Sequence, residues 1–220
     1  MNILVIDVGG TNIKFKHTGD DELRKHPSGP DLTPHELVKA VHQDTADWKF
    51  DHVTIGFPSP VIHNKILREP VNLGAGWVGF DFSALGKPLK LINDAAMQAL
   101  GSYEGGRMLF LGLGTGLGNT LILDGAVAPL EIGHLPYRKG RSYEEYLGEA
   151  ALKRLGKRKW QDYVFDVVER FMKAFVVDYV VLGGGNARKL GELPPGARLG
   201  DNANAFLGGV RLWEDSKISS

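Results

Sequence analysis

Cysteine is absent from this chain of 220 residues. That absence excludes disulfides, thiolate zinc ligands and cysteine nucleophiles, and it predicts a reducing, cytoplasmic location. Net charge is absent too, since 26 basic residues balance 26 acidic ones. A nucleic-acid binder normally carries a surplus of positive charge, so that class is disfavoured. No apolar run approaches the ~20 residues of a membrane helix, and the segment Met1–Asp7 lacks the basic start of a signal peptide.

Glycine, in contrast, is abundant. The chain has 29 glycines, nearly twice the average share of about 7%. Three glycine-containing runs each follow an apolar, strand-like segment: Asp7–Thr11, Gly112–Gly118 and Gly183–Gly185. Glycine lets main-chain N–H groups converge on an anion without a Cβ in the way. Each run alone could be a tight turn, but together they predict a ligand that contains several phosphates.

The common phosphate-binding signatures do not fit these runs. The chain has no GxxxxGK[ST] sequence, which excludes a P-loop. The middle run reads GxGxGxG, which disfavours a dinucleotide fold, and the signatures of protein kinases are missing.

The order of predicted elements indicates two related halves. A strand, a glycine turn, a second strand and a hairpin occur near residue 1 and again near residue 108, which predicts two α/β domains of one architecture. Helices are predicted at about 34–46, 95–100 (closed by Gly101), 142–155, 160–177 and 202–212, with a frayed polar end at 215–220.

Several polar side chains lie at the ends of these predicted strands. Asp7 could hold a metal ion through water, and Thr11 could bond a phosphate oxygen. Lys14 could reach the same phosphates or lie on a solvated strand face. Asn93 and Asp94 precede a helix, where they could cap it or supply a general base.

Glu131 and His134 could bind a polyol or form an ordinary surface pair. The residues themselves do not decide between these two interpretations.

In order along the chain, these motifs resemble those of the ROK family of sugar kinases, within the actin–hexokinase–Hsp70 fold group. The likeness is strongest to glucokinases, including polyphosphate glucokinases. It implies an α/β fold with two actin-like (ribonuclease H-like) domains that flank a cleft. We expect an N-terminal sugar and phosphate domain at 1–105, a nucleotide-side domain at 106–201, and a last helix at about 202–214 that packs back on the first.

The resemblance also implies roles for individual residues. Asp94 would be the general base for a hexose hydroxyl, with glucose O6 expected. The sugar would be bound by Asn72, Asn93, Glu131, His134 and Glu144. Glu145 would instead be the capping partner of Ser142. The donor, ATP or polyphosphate, would be held by Asp7, Gly9, Gly10, Thr11, Lys14, Gly114, Thr115, Gly116, Gly183, Gly184 and Gly185. Asp7 would hold Mg²⁺ through water.

This chain departs from the family in two respects. Most relatives carry a cysteine-rich zinc motif just after the Glu–His element, where this chain has 136–141 without cysteine, so no zinc is expected. Family repressors carry a DNA-binding segment before the first phosphate motif, which here begins at Asp7, so none is expected.

Alternatives remain for function, donor and assembly. The chain could be a non-catalytic actin-fold module that binds nucleotide or sugar, a kinase for an N-acetylated hexosamine, or a small-acid kinase. The basic stretches 138–141 and 153–159 could follow a polyphosphate chain or be solvated. A homodimer is possible, with Trp77, Phe80 or Trp213 at an interface.

Overall fold

The computed structural model describes residues 1–214, and the end predicted to be frayed, 215–220, lies outside the described residues. The first half forms β1 (Ile3–Val8), β2 (Asn12–His17), β3 (Arg24–Pro27), α1 (Pro34–Asp44), β4 (His52–Phe57), β5 (Val61–Ile62), β6 (Lys65–Ile66), β7 (Leu89–Asn93) and α2 (Asp94–Ser102). The second half forms β8 (Arg107–Leu113), β9 (Leu117–Leu123), β10 (Ala126–Leu130), β11 (Pro136–Arg138), β12 (Arg141–Ser142), α3 (Glu144–Leu147), α4 (Glu149–Leu155), α5 (Lys157–Phe175), β13 (Tyr179–Gly183), β14 (Ala197–Leu199) and α6 (Asn204–Glu214).

Two five-stranded mixed sheets share one topology. The strand order is β3-β2-β1-β4-β7 in the first sheet and β10-β9-β8-β13-β14 in the second. In each, the first strand along the chain pairs antiparallel with the next and parallel with a later one. The predicted mixed α/β class and the internal repeat are both confirmed.

Local signals set several element boundaries. Thr33 caps α1 in a capping box with Glu36, as the sequence predicts. Asp124 and Gly125 both adopt positive φ, at 50° and 91°, in the hairpin between β9 and β10. Two predicted helix boundaries are wrong. Helix α2 continues through Gly101, and the helix predicted at 142–155 breaks at Gly148 into α3 and α4.

Gly101 belongs to a close helix crossing. A Cβ at Gly101 would overlap the carbonyl oxygen of Asn204, and a Cβ at Gly208 would overlap that of Met97. Glycine at both positions therefore lets α2 and α6 touch backbone to backbone. Helix α6 also packs on the first sheet, where the Thr54 hydroxyl donates to the Gly209 carbonyl oxygen at 2.8 Å.

The cores of the two halves are separate apolar clusters on their sheets. Trp77 is only 1% exposed, so its assignment to an interface is wrong, because its ring fills the first core. Among the helices of residues 1–214, none is both long enough and apolar enough to cross a membrane.

Candidate active site

A cleft of about 340 Å³ separates the ends of β1 and β8 and the start of α2. Most of its lining was singled out from the sequence: Gly9, Gly10, Asn72, Asp94, Gly112, Gly114, Thr115, Gly116, Gly118, Glu131, Glu144 and Gly184. Residues as distant in sequence as Gly9 and Gly184 thus line one cavity, together with the carboxylate of Asp94 at the start of α2.

Asp94 is the first residue of α2, immediately after β7. Asn93 caps this helix, since its Oδ1 accepts the N–H groups of Ala95 and Ala96 at 3.0 and 3.2 Å. Its Nδ2 donates to the Ser59 carbonyl oxygen at 3.3 Å. Both polar ends of Asn93 are thus occupied by protein, whereas Asp94 uses only Oδ1, on the Ala95 N–H at 2.7 Å.

The environment of Asp94 favours its neutral form. The pKa of Asp94 is raised to about 7, first by burial, then by the negative charge of Asp7 and to a smaller extent by that of Glu131, while the backbone N–H groups of Ala95 and Asp94 work in the opposite direction. A carboxyl group with a pKa near neutrality is suited to proton transfer at physiological pH.

Asp7 faces Lys14 across the β1–β2 pair. The two residues are register partners, and Lys14 Nζ lies 2.8 Å from Asp7 Oδ2. Asp7 is 7% exposed, so its charge is largely removed from water and balanced by Lys14. The ammonium group therefore points at the carboxylate, and neither of these two residues lies in the cleft lining.

The second glycine run forms the connection from β8 to β9. The Gly114 N–H donates to the Gly116 carbonyl oxygen at 3.1 Å, which closes a tight turn. A Cβ at Gly114 would meet open space, whereas one at Gly118 would lie 2.9 Å from the Ala95 side chain. The turn is thus open toward the cleft at Gly114 and packed against α2 at Gly118.

The third glycine run is mostly a packing feature. A Cβ at Gly183 would overlap the Phe110 ring, and one at Gly184 would lie 2.6 Å from the Leu113 carbonyl oxygen. Gly184 also requires a φ of +79°. Among the three, Gly185 has open space around it and Gly184 lies in the cleft lining.

The proposed sugar ligands are unevenly placed. His134 Nε2 lies 3.2 Å from Glu131 Oε2, and both side chains are more than half exposed. Glu131 lines the cleft, whereas His134 and Asn93 do not, and neither does Thr11, which was expected to bind the donor. Asn72 reaches the first glycine run, where its Cβ lies 3.5 Å from a Cβ built on Gly10. Glu145 pairs with Ser142, its Oε2 accepting the Ser142 N–H at 2.8 Å.

Three further cleft residues were not predicted from the sequence, namely Ala95, Gln98 and Phe110, whereas Pro58 lies in a segment that resembles a family loop at the sugar site. Gln98 was recognisable in principle, because it follows Asp94 by four residues and so lies on the same helix face. Phe110 lies on a buried strand, and nothing in the sequence distinguishes it from core.

The hairpin β11–β12 spans the cysteine-free segment that follows Glu131 and His134. Tyr137 bonds Asp166 through its hydroxyl and stacks on Tyr143 at 4.7 Å. Arg138 and Arg170 pair with the same carboxylate at 3.3 and 2.8 Å. These contacts anchor the hairpin to α5. In residues 1–214 there is no group of three metal-ligating side chains.

The sequence is similar to curated glucokinases. It is 26% identical over 215 residues to a polyphosphate glucokinase of Mycobacterium tuberculosis, and the match covers 86% of this chain and 80% of the relative. A polyphosphate glucokinase of Mycobacterium leprae is 24% identical over 210 residues, covering 84% of this chain and 63% of the relative. No protein-family model matches the chain.

The fold is similar to that of solved sugar kinases. The inorganic polyphosphate/ATP-glucomannokinase from Arthrobacter sp. strain KM matches with a TM-score of 0.79 and 24% identity, over 96% of this chain and 97% of that one. A ROK family glucokinase from Streptomyces griseus matches with a TM-score of 0.70 and 17% identity, over 96% and 99%. The predicted resemblance to the ROK family of sugar kinases is therefore confirmed in both sequence and fold.

Proposed function

We propose that this protein transfers a phosphoryl group from ATP or inorganic polyphosphate to a hexose hydroxyl, with glucose O6 as the acceptor. The observation that carries this proposal is Asp94, a carboxyl group with a pKa near 7 that lines the same cleft as the Gly114–Gly116 turn. The cleft thus combines a proton acceptor with backbone that can receive an anion. The names of the relatives support the same reaction.

Asp94 would act as the general base. Its Oδ1 is held by the Ala95 N–H at 2.7 Å, which leaves Oδ2 to accept the proton of a sugar hydroxyl. A positioned base of this kind contributes typically 10²–10⁴-fold in rate. The remaining acceleration of phosphoryl transfer comes from alignment and charge neutralisation, which we assign to the glycine turns.

The sugar would be held by the carboxylates of Glu131 and Glu144 and by the side-chain amides of Asn72 and Gln98. Asp94, Glu131 and Glu144 line the cleft with these two amides. This set offers hydrogen-bond acceptors and donors for several hydroxyl groups. The exposed His134, bonded to Glu131 at 3.2 Å, would contact sugar through a movement of its loop.

A magnesium ion fits this site only in a water-mediated form. Mg²⁺ usually takes one or two carboxylates together with donor phosphates and several waters. Asp7 is buried, and Lys14 Nζ lies 2.8 Å from its carboxylate. Because this carboxylate is already paired, we propose that it contacts the ion through a coordinated water and does not bind it directly. When bound, the ion would neutralise charge on the transferred group.

The choice between ATP and polyphosphate stays open. Gly183 and Gly184 are required by packing, which weakens the argument from this run for a nucleotide. The basic stretches are partly neutralised within the protein, since Arg138 pairs with Asp166 and Lys153 with Glu149. Neither observation favours one donor.

The decisive test is a panel of sugars and donors with magnesium present. Glucose, mannose and N-acetylated hexosamines are each assayed with ATP and with polyphosphate. We expect Asp94→Asn to lower turnover by at least about 10²-fold while its circular dichroism matches that of the parent. Near-normal turnover in a folded variant would refute the role of Asp94. Calorimetric sugar binding without product from any donor would instead support a binding module.

A further inference from the structure

Glu144 contacts the glycine turn as well as the cleft. It begins α3, and its Oε2 accepts the Leu117 N–H at 3.0 Å. A Cβ on Gly116 would overlap this same oxygen. The carboxylate therefore lies directly against the backbone of the turn between β8 and β9, and the small size of Gly116 makes the contact possible.

The rest of the turn rests on backbone of the same segment. The Glu149 N–H donates to the Gly114 carbonyl oxygen at 2.9 Å. A Cβ on Gly148 would lie 2.8 Å from the Thr115 carbonyl oxygen. Residues 144–149 thus pack against the turn through backbone contacts, and Glu144 adds a side-chain contact.

The second oxygen of Glu144 is available to a ligand. Within residues 1–214, Oε1 has no hydrogen-bond partner, and the residue is half-buried in the wall of the cleft. Asp94 and Glu131 line the same cavity. Glu144 therefore lines the space proposed for the sugar while its Oε2 is bonded to the proposed donor turn.

We propose that Glu144 is a positioning residue that couples sugar binding to the order of the donor-binding turn. A sugar hydroxyl that donates to Oε1 fixes the position of the Glu144 carboxylate. The carboxylate then keeps its hydrogen bond to the Leu117 N–H, so the turn between β8 and β9 samples fewer conformations. By thermodynamic linkage, the donor raises sugar affinity by the same factor as the sugar raises donor affinity. This inference rests on the proposed function, because it takes the ligand to be a sugar.

Amide hydrogen exchange tests the coupling without a donor or a reaction. Peptides that cover 112–118 are followed with and without saturating glucose. In the parent protein we expect glucose to slow exchange in this turn by at least about 5-fold, the lower end of typical coupling. In Glu144→Ala the protection should disappear, and in Glu144→Gln, whose amide oxygen still accepts the Leu117 N–H, most of it should remain.

Glu145→Ala is the matched control. This neighbouring carboxylate bonds the Ser142 N–H at 2.8 Å and is exposed, so its loss should leave the protection by glucose intact. Equal loss in both variants would mean that α3 is merely destabilised, and would overturn the proposal.

Calorimetry with glucose separates the two ways of failing. Glucose binding with unchanged exchange at 112–118 overturns the coupling and leaves the proposed function standing. If glucose neither binds nor is phosphorylated while another hexose of the panel is, exchange is repeated with that hexose. If no hexose binds or reacts, both the coupling and the proposed function fail.

Discussion

At the scale of single residues, the cleft concentrates negative charge. Asp94, Glu131 and Glu144 line one cavity, and Asp7 lies close enough to raise the pKa of Asp94. Lys14 balances Asp7 at 2.8 Å and so limits that effect. The arrangement sacrifices some stability for function, because burying a carboxylate without a cationic partner is unfavourable.

The first prediction concerns pH and activity. Because the pKa of Asp94 is about 7, the ionised base is scarce in acid and abundant above neutrality. We expect kcat/KM for the sugar to rise nearly tenfold per pH unit from about pH 5 to 6.5 and to level off above about pH 8. Initial rates in a constant-ionic-strength buffer series measure this. A flat profile across that range would contradict the assignment.

The second prediction concerns pH and stability at the same residue. The folded state keeps the proton of Asp94 to about pH 7, whereas the unfolded chain loses it near pH 4. The folded state therefore binds more protons between these values, and its stability falls as pH rises through them. We expect Asp94→Asn to exceed the parent in Tm, with a difference that grows from pH 5 to pH 8. Scanning calorimetry of both proteins at pH 5 and pH 8 measures this difference in Tm. A difference that is the same at both pH values would count against a raised pKa of Asp94.

At the scale of elements, α6 holds the helix that carries Asp94. Gly208 on α6 and Gly101 on α2 allow contact between the two backbones. Arg211 reinforces the crossing, because it donates to the carbonyl oxygens of Leu100 and Tyr103 at 2.7 and 2.8 Å. These contacts tie the end of α2 to α6 and so fix the direction in which its first residue points.

Adding one methyl group at this crossing should separate the helices. We expect Gly208→Ala to cost about 1–3 kcal/mol through overpacking, or roughly 2–4 °C in Tm for each kcal/mol, and to lower turnover because Asp94 shifts. Thermal unfolding and initial rates are measured together. Leu207→Ala, an exposed position of the same helix, serves as the control and should leave turnover unchanged. A parent-like Tm for Gly208→Ala would argue against the crossing.

The same elements show how far sequence reasoning reaches. The capping box of Thr33 and the turn at Asp124–Gly125 were predictable, because their signals are local. Gly101 was wrongly predicted to end a helix. Glycine is needed there because the backbone of α6, more than 100 residues away in sequence, packs against it. Asn93 shows that one sequence pattern can indicate two roles, because an asparagine between a strand and a helix can cap the helix or bind a ligand. Its hydrogen bonds in the fold support helix capping.

At the scale of the whole molecule, the cleft depends on two sheets built on one plan. Asp94 begins a helix after the edge strand of the first sheet, while Gly114–Gly116 connect two strands of the second. The division at 1–105 and 106–201 stays a prediction, which the packing of α6 on β1 and α2 supports. A ligand that contacts both walls of the cleft would join the two halves, and its binding should therefore be visible in their unfolding.

The last prediction follows from that linkage between binding and stability. A sugar that binds the folded cleft stabilises it by about 2.7 kcal/mol at a hundred times its Kd, which corresponds to about 5–11 °C in Tm for a protein of this size. We expect glucose to produce this shift in scanning calorimetry and to sharpen any separate transitions of the halves into one. Sorbitol at equal concentration controls for general osmolyte effects. Asp94→Asn keeps the remaining cleft residues, so it should retain most of the glucose-induced shift in Tm while losing turnover. Loss of both the Tm shift and the turnover would place Asp94 in sugar binding as well as in proton transfer.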